Sequence, residues 1–245
     1  MQVVYGVKPV METILHGRRK VEKIILATGR DSPGIRKIMK LAAQEKISVY
    51  YNNKNYLTNI TGSKSHQGII CVCNDYEYTG VDEIIANCHG SMEHGLVLIL
   101  DGIEDPQNLG SIIRTAYCFG VNGIIIPENR SASVTPAVIK VSAGAAQHIL
   151  IARVVNISRT IDYLKEKGFW IYGADVSSDQ NFSSLDYRGQ VGLVMGSEGR
   201  GIRSLVKKKC DRLVSITMSG EIDSLNVSVA TGIILYEIWR NRAKY

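Results

Sequence analysis

The chain has 245 residues, 45% hydrophobic and 21% charged, which is enough apolar material for a buried core and excludes a disordered class. Its longest apolar runs, such as Leu96–Leu100, are about five residues, against the roughly 20 that a membrane-spanning helix needs. Five scattered cysteines (Cys71, Cys73, Cys88, Cys118, Cys210) argue against a disulfide framework and for reduced, buried thiols. With no leader-like pattern in MQVVYGVKPV, a cytoplasmic location is expected.

The net charge of +6 is unevenly placed: residues 1–80 hold 12 Lys and Arg against 6 Asp and Glu, and residues 81–245 hold 17 of each. Such segregation suggests a small module that approaches a polyanion, joined to a larger one that need not; a basic surface kept for solubility would look the same. Val21–Ala27 reads as a strand, and Asp31-Ser32-Pro33 opens a helix carrying Ile35, Ile38, Met39, Ala42 and Ala43. Ile47–Tyr51 is a short strand, Lys54–Ile60 a polar helix and Gly68–Cys73 a buried strand. Residues 1–76 thus form a compact α/β domain, and the mostly polar stretch 77–94 reads as a linker.

From Gly95 strands and helices alternate. Strands are expected at Leu96–Leu100, Gly123–Ile126, Ile149–Val154, Phe169–Ala174, Val191–Met195 and Leu213–Ile216. Helices are expected at Leu109–Phe119, Pro136–Ser142, Ile157–Lys167 and Leu225–Asn241. This order predicts a mainly parallel sheet covered on both faces over residues 95–245, with ligands gathering at the carboxyl ends of its strands.

Three segments crowd polar residues and glycines at such ends. In Asp101–Ala116, Asn108 suits a helix N-cap, and Arg114 lies among Ile112, Ile113 and Ala116, where a guanidinium needs a carboxylate or a substrate anion. In Val191–Ile202 a buried strand runs into a loop with glycines at 196, 199 and 201 and one carboxylate, Glu198; it is neither a P-loop nor a dinucleotide fingerprint. In Ile216–Ala230, Ser224 reads as the N-cap of the closing helix, with polar Asn226 and Ser228 at its start. Val227, Ala230, Ile233, Ile234 and Ile238 make an apolar stripe that suits core or a subunit interface.

In this order, NLGSIIRTA, MGSEGRGI and SLNVSVATGIILYE resemble the three motifs of the SpoU/TrmH branch of the SPOUT methyltransferases. The front third, opening with YGVKPVMETI and closing with SHQGIICV, resembles that branch's L30e-like substrate-binding domain, and the two-domain layout is most similar to the RlmB type, which acts on a guanosine of 23S rRNA. The resemblance implies an α/β SPOUT trefoil-knot domain over 95–245 behind an L30e-like domain over 1–76. Composition and periodicity would not have proposed a threaded chain.

The resemblance also implies the chemistry: a ribose 2′-oxygen of RNA attacks the sulfonium methyl of S-adenosylmethionine, in a homodimer with the site at the interface. Met195, Gly196, Ile216, Met218 and Leu225 would bind the cofactor. Arg114 would stabilise the developing alkoxide and orient a phosphate, because a guanidinium stays protonated and makes a poor base. Asn108, Glu198, Ser224 and Asn226 would orient Arg114 and the nucleotide, with Glu198 as the backup proton acceptor. No metal is expected, since the leaving thioether is neutral. Thr217 stands where the family commonly has proline, which predicts a slightly less rigid loop. Arg18-Arg19-Lys20 and Lys207-Lys208-Lys209 are candidate phosphate contacts or simply solvated charge. The alternatives are a tRNA or antibiotic-resistance rRNA 2′-O-methyltransferase, or a non-catalytic RNA-binding assembly factor.

Overall fold

A computed structural model describes residues 2–16, 20–90, 94–220 and 224–242. In chain order the elements are β1 (Gln2–Tyr5), α1 (Val7–His16), β2 (Val21–Ala27), α2 (Pro33–Gln44), β3 (Ser48–Asn52), α3 (Lys54–Thr61) and β4 (Ile69–Cys73). Then come α4 (Val81–Gly90), β5 (Leu96–Asp101), α5 (Pro106–Cys118), β6 (Gly123–Pro127) and α6 (Pro136–Val141). The chain finishes with β7 (Leu150–Val154), α7 (Ile157–Glu166), β8 (Trp170–Ala174), β9 (Val191–Gly196), α8 (Ser204–Lys207), β10 (Arg212–Val214) and α9 (Val227–Arg242). They fall into two compact units, Met1–Glu77 with Ser133–His148, and Tyr78–Ala132 with Ile149–Tyr245.

The first unit is a four-stranded sheet ordered β1-β4-β2-β3. The central β4, IICVC, is buried along its whole length, Cys71 and Cys73 included. Helix α2 starts where Ser32 accepts a hydrogen bond from the Ile35 amide with Pro33 in the first turn, and it buries Ile35, Ile38 and Ala42 at helical spacing. β1 and α1 carry no expectation from the sequence; Gly6, at φ 97, turns the chain between them.

The segment Ser133–His148 completes this unit. The Tyr76 hydroxyl donates to the Ala146 carbonyl (2.9 Å), Gln147 Nε2 donates to Thr13 Oγ1 (3.3 Å), and His148 Nε2 meets Glu12 Oε2 at 2.7 Å. These residues follow residue 95 in sequence yet cluster with the first unit. The expected linker differs as well. Within 77–94, Val81–Gly90 is the helix α4, whose Ile84, Ile85 and Cys88 join the core of the second unit. Gly123 is what lets it pack so closely, because a Cβ there would lie 2.6 Å from the Ile84 side chain.

The second unit is a six-stranded sheet ordered β10-β8-β9-β5-β6-β7 with every pairing parallel. LVLILD and VGLVMG are buried throughout, as expected of strands covered on both faces. From β5 the chain steps outward through β6 to β7, then returns on the other side of β5 through β8, β9 and β10. The order thus reverses between β5 and β9, whose last residues, Asp101 and Gly196, are partners in register. In open parallel sheets a crevice forms at such a point, outside the carboxyl ends of the strands.

Candidate active site

At the end of β9 the chain closes on itself. The Ser197 amide donates to the Gly201 carbonyl (3.1 Å) and the Gly201 amide to the Ser197 carbonyl (2.9 Å). Gly196 permits this fold-back, since a Cβ on it would lie 2.1 Å from the Gly201 carbonyl carbon and 2.2 Å from the Ile202 nitrogen. Beside this loop is a cavity of about 580 Å³. All five expected cofactor-binding residues, Met195, Gly196, Ile216, Met218 and Leu225, line it, with Ala230 and Ile234 of α9 behind them. Asp175, at the exit of β8, lines it too. Burial would raise this carboxyl, but hydrogen bonds from Lys207 and Ser177 and the Lys207 charge hold it below the usual range.

Glu198 is the hub of the wall. Its Oε1 accepts from Asn226 Nδ2 (2.6 Å), Asn108 Nδ2 (3.1 Å) and the Val227 amide (3.4 Å), while Asn226 Nδ2 also donates to Asn108 Oδ1 (3.0 Å). Three segments far apart in sequence meet at one carboxylate. Glu198 borders a second recess as well, of about 390 Å³, lined by Asp101, Glu104, Asn108, Arg130, Arg200 and Arg203 among others. Ser224 lines the larger cavity. Arg114 lies apart: it is exposed on α5 and forms no hydrogen bond or ion pair among the described residues.

Both expected caps shift. Asp105 caps α5, accepting from the Gln107 amide, and Pro106 takes the first turn, so Asn108 is a buried residue inside the helix. This frees its side chain for Glu198. Asn226, not Ser224, caps α9, with Oδ1 accepting from the Ser228 (3.0 Å) and Val229 (3.4 Å) amides. One asparagine therefore starts the helix through its oxygen and holds the carboxylate through its nitrogen.

The closing helix is apolar on two sides. Val227, Ile234 and Ile238 are core, whereas Val229, Ile233, Tyr236 and Trp239 are exposed. Phe119 lies 6.0 Å from the Tyr236 ring and 6.3 Å from the Trp239 ring. Thr217 is anchored: its Oγ1 accepts from Asn181 Nδ2 at 2.6 Å, a tie that the family's proline could not make. Of the Lys207–Lys209 run, Lys207 pairs with Asp175 and Lys209 with Asp162, both at 2.8 Å. Arg18 and Arg19 lie outside the described residues; Lys20 is exposed.

Asp101 and Arg203 carry no expectation from the sequence. Asp101 is fully buried and takes the Arg203 amide (2.9 Å) and guanidinium (2.5 Å and 2.7 Å), which ties the end of the Gly-rich loop to β5. A carboxylate ending an apolar strand was the available signal; its partner, 102 residues on, was not visible.

Residues 95–236 match the SpoU rRNA Methylase family, and residues 3–79 match RNA 2′-O ribose methyltransferase substrate binding. A protein of Bacillus subtilis named for the TrmH family of tRNA/rRNA methyltransferases, YacO, is 40% identical over 240 residues, 98% of this chain and 95% of its own. The SpoU methyltransferase AviRb of Streptomyces viridochromogenes, solved with AdoMet, shares the fold at a TM-score of 0.84 and 24% identity, covering 99% of this chain and 91% of that one. A TrmH/SpoU tRNA modifying enzyme of A. aeolicus covers 66% of this chain and 84% of its own, at a TM-score of 0.57 and 29% identity. By these matches the chain belongs to the SpoU/TrmH family of SPOUT RNA methyltransferases, whose methyl donor is S-adenosylmethionine.

Proposed function

We propose that the chain methylates a ribose 2′-oxygen of RNA, that the acceptor is a guanosine of 23S rRNA, and that it works as a cytoplasmic homodimer in rRNA processing. The observation that carries the chemistry is Glu198. Bound to Asn108 and Asn226, it stands between the 580 Å³ cavity and the smaller recess, so one polar cluster borders both. The basic front module favours a large structured RNA, and the tRNA modifying enzyme of A. aeolicus covers only 66% of the chain. A non-catalytic RNA-binding factor would have no use for an ordered carboxylate–diamide cluster beside such a cavity.

The larger cavity fits the cofactor. Its volume is within the range of small-molecule sites, and Met195, Ile216 and Leu225 offer apolar walls beside polar backbone. Backbone groups at Gly196, Ile216 and Leu225 would hold the adenosine, with Met195 and Met218 as the side chains to line it. Bound there, S-adenosylmethionine supplies an electrophilic methyl whose departure leaves a neutral thioether.

A 2′-hydroxyl is a weak nucleophile until its oxygen gains negative charge. Arg114 stabilises that charge as a fixed cation, and Glu198, the carboxylate among these residues, is the backup acceptor for the proton. Ser224 and Asn226 orient the nucleotide.

The exposed position of Arg114 supports the dimer. Arg114, Tyr117 and Cys118 follow at i, i+3 and i+4 on the outer face of α5, which packs on α9 near exposed Ile233, Tyr236 and Trp239. A second copy covering this apolar face would carry its Arg114 to the neighbouring acceptor recess.

The experiment is methyl transfer from labelled S-adenosylmethionine to unmodified 23S rRNA and tRNA transcripts, with the product mapped by alkaline hydrolysis. One hydrolysis-resistant guanosine linkage in 23S rRNA is expected. Label on a base, or none, overturns the 2′-O reading; label on tRNA alone overturns the choice of acceptor.

A further inference from the structure

We propose that Arg130, in the loop after β6, is the phosphate anchor of the acceptor RNA: its guanidinium binds a backbone phosphodiester in the recess bordered by Asn108 and Glu198. This rests on the RNA methyltransferase reading and adds a residue to it.

Three observations converge. Arg130 has φ 55, the left-handed region that glycine and asparagine tolerate and arginine rarely enters. The loop is held in that shape from both ends. The Glu128 amide donates to the Val154 carbonyl (2.9 Å), and on the other side the Ala132 amide (2.7 Å) and Ser131 Oγ (3.3 Å) donate to the Ile103 carbonyl. A costly backbone conformation fixed by its surroundings is a mark of a functional position.

Second, Arg130 lines the 390 Å³ recess together with Asn108, Glu198 and Arg200. It therefore borders the same recess as the polar cluster and is not part of the lining of the larger cavity.

Third, Arg130 is exposed and forms no hydrogen bond or ion pair among the described residues, although four carboxylates border the same recess. Three of those are engaged: Asp101 by Arg203, Asp105 by the Gln107 amide, and Glu198 by Asn108 and Asn226. The fourth, Glu104, is exposed. The loop spends conformational energy to hold a guanidinium at the recess with no partner for it among the described residues. A phosphodiester flanking the acceptor ribose fits this position, since the planar fork can engage two phosphate oxygens at once.

The test separates the guanidinium from the backbone. Arg130→Gly and Arg130→Asn keep the left-handed conformation accessible while removing the cation; Arg130→Lys keeps the charge and loses the fork. Binding of the full-length variants to a 23S rRNA transcript is measured across a salt series, with calorimetry for S-adenosylmethionine. Both neutral variants should bind RNA about tenfold more weakly, with the log–log salt slope smaller by about one, and should keep wild-type cofactor affinity. Arg130→Lys should fall between. Wild-type RNA affinity and slope in Arg130→Gly overturns the proposal. So does an equal loss in all three variants with weakened cofactor binding, which would make Arg130 a loop support. Methyl transfer by the wild type tests the reading beneath it separately, because the binding comparison does not need turnover.

Discussion

The two units differ in what makes them useful. The first concentrates the positive charge, and its edge strand β3 and the following α3 leave Tyr50, Tyr51 and Tyr56 exposed. The second has balanced charge beyond residue 80 and holds both cavities and the Glu198 cluster. Attraction for a polyanion is a surface property to which many residues contribute a little. Bond-making chemistry needs a few groups fixed within an ångström, and the switch point of a parallel sheet supplies that rigidity. Substitutions in the two units should therefore fail differently.

The sharpest break in the comparison comes from the second unit. Arg114→Ala and Glu198→Ala should each lower methyl transfer at least about 100-fold while leaving the first unit's RNA binding in place. Because Arg114 lines neither cavity of its own chain, mixing the two inactive variants is decisive. Across a dimer interface, each mixed dimer regains one complete site, and an equimolar mixture recovers about a quarter of wild-type activity. If no activity returns while the proteins exchange subunits, Arg114 works within its own chain or not at all. Glu198→Gln gives the complementary reading. It keeps an acceptor oxygen for Asn108 and Asn226, so a large loss there as well argues that the carboxylate takes the proton.

A smaller and more graded effect belongs to the first unit. Neutralising Lys23, Lys46 and Lys54 together, all exposed, should weaken binding to a 23S rRNA transcript about tenfold and flatten its salt dependence, with cofactor affinity unchanged. Truncation at residue 80 is a poorer experiment than the charge split suggests, because Ser133–His148 would lose the elements it packs on, including α1 and β1. An unchanged salt slope in the triple variant would show that the excess charge is general surface.

How far the sequence reached follows from what is local. Buried strands such as Leu96–Asp101 and Val191–Gly196, and the Ser32-Pro33 helix start, lie in continuous runs and were legible. The cap of α5 was not: Asp105 and Asn108 are both good caps, and the choice fell to Asp105 once Pro106 could take the first turn. Helix α4 has Ile84, Ile85 and Cys88 buried in a polar stretch, and the close approach of Ile84 to Gly123 is a tertiary contact that no local pattern announces. The site was legible as motifs but not as geometry. Nothing local says that Asn108, Glu198 and Asn226 share one bond network, that Asp101 holds Arg203, or that the left-handed residue in Asn129-Arg130 is the arginine. Membership of Ser133–His148 in the first unit is equally a matter of tertiary packing.

The smallest expected effect concerns a single proton in the first unit. His66 is fully buried; its Nδ1 accepts from the Gly68 amide at 3.0 Å, and its Nε2 lies 3.2 Å from Thr58 Oγ1, which fits the neutral ring with the proton on Nε2. Burial, then the charges of Lys54, Arg30 and Lys140, push its pKa below the ordinary value of 6.5. Protonation would set a second N–H against that of Gly68. Between the unfolded value and the depressed folded one, the unfolded chain binds more protons, so stability falls as pH drops below 6.5. Thermal unfolding followed from pH 7.5 to 5.5 should show the fall. His66→Asn, whose oxygen can still accept from Gly68 and cannot titrate, should remove that part of it. The readout is confined to the first unit: amide exchange at Gly68 and Ile69 should gain the most on acidification in the wild type, relative to the variant at the same pH. Equal acid sensitivity in both proteins would place the titrating group elsewhere and leave the depressed His66 without a part in acid stability.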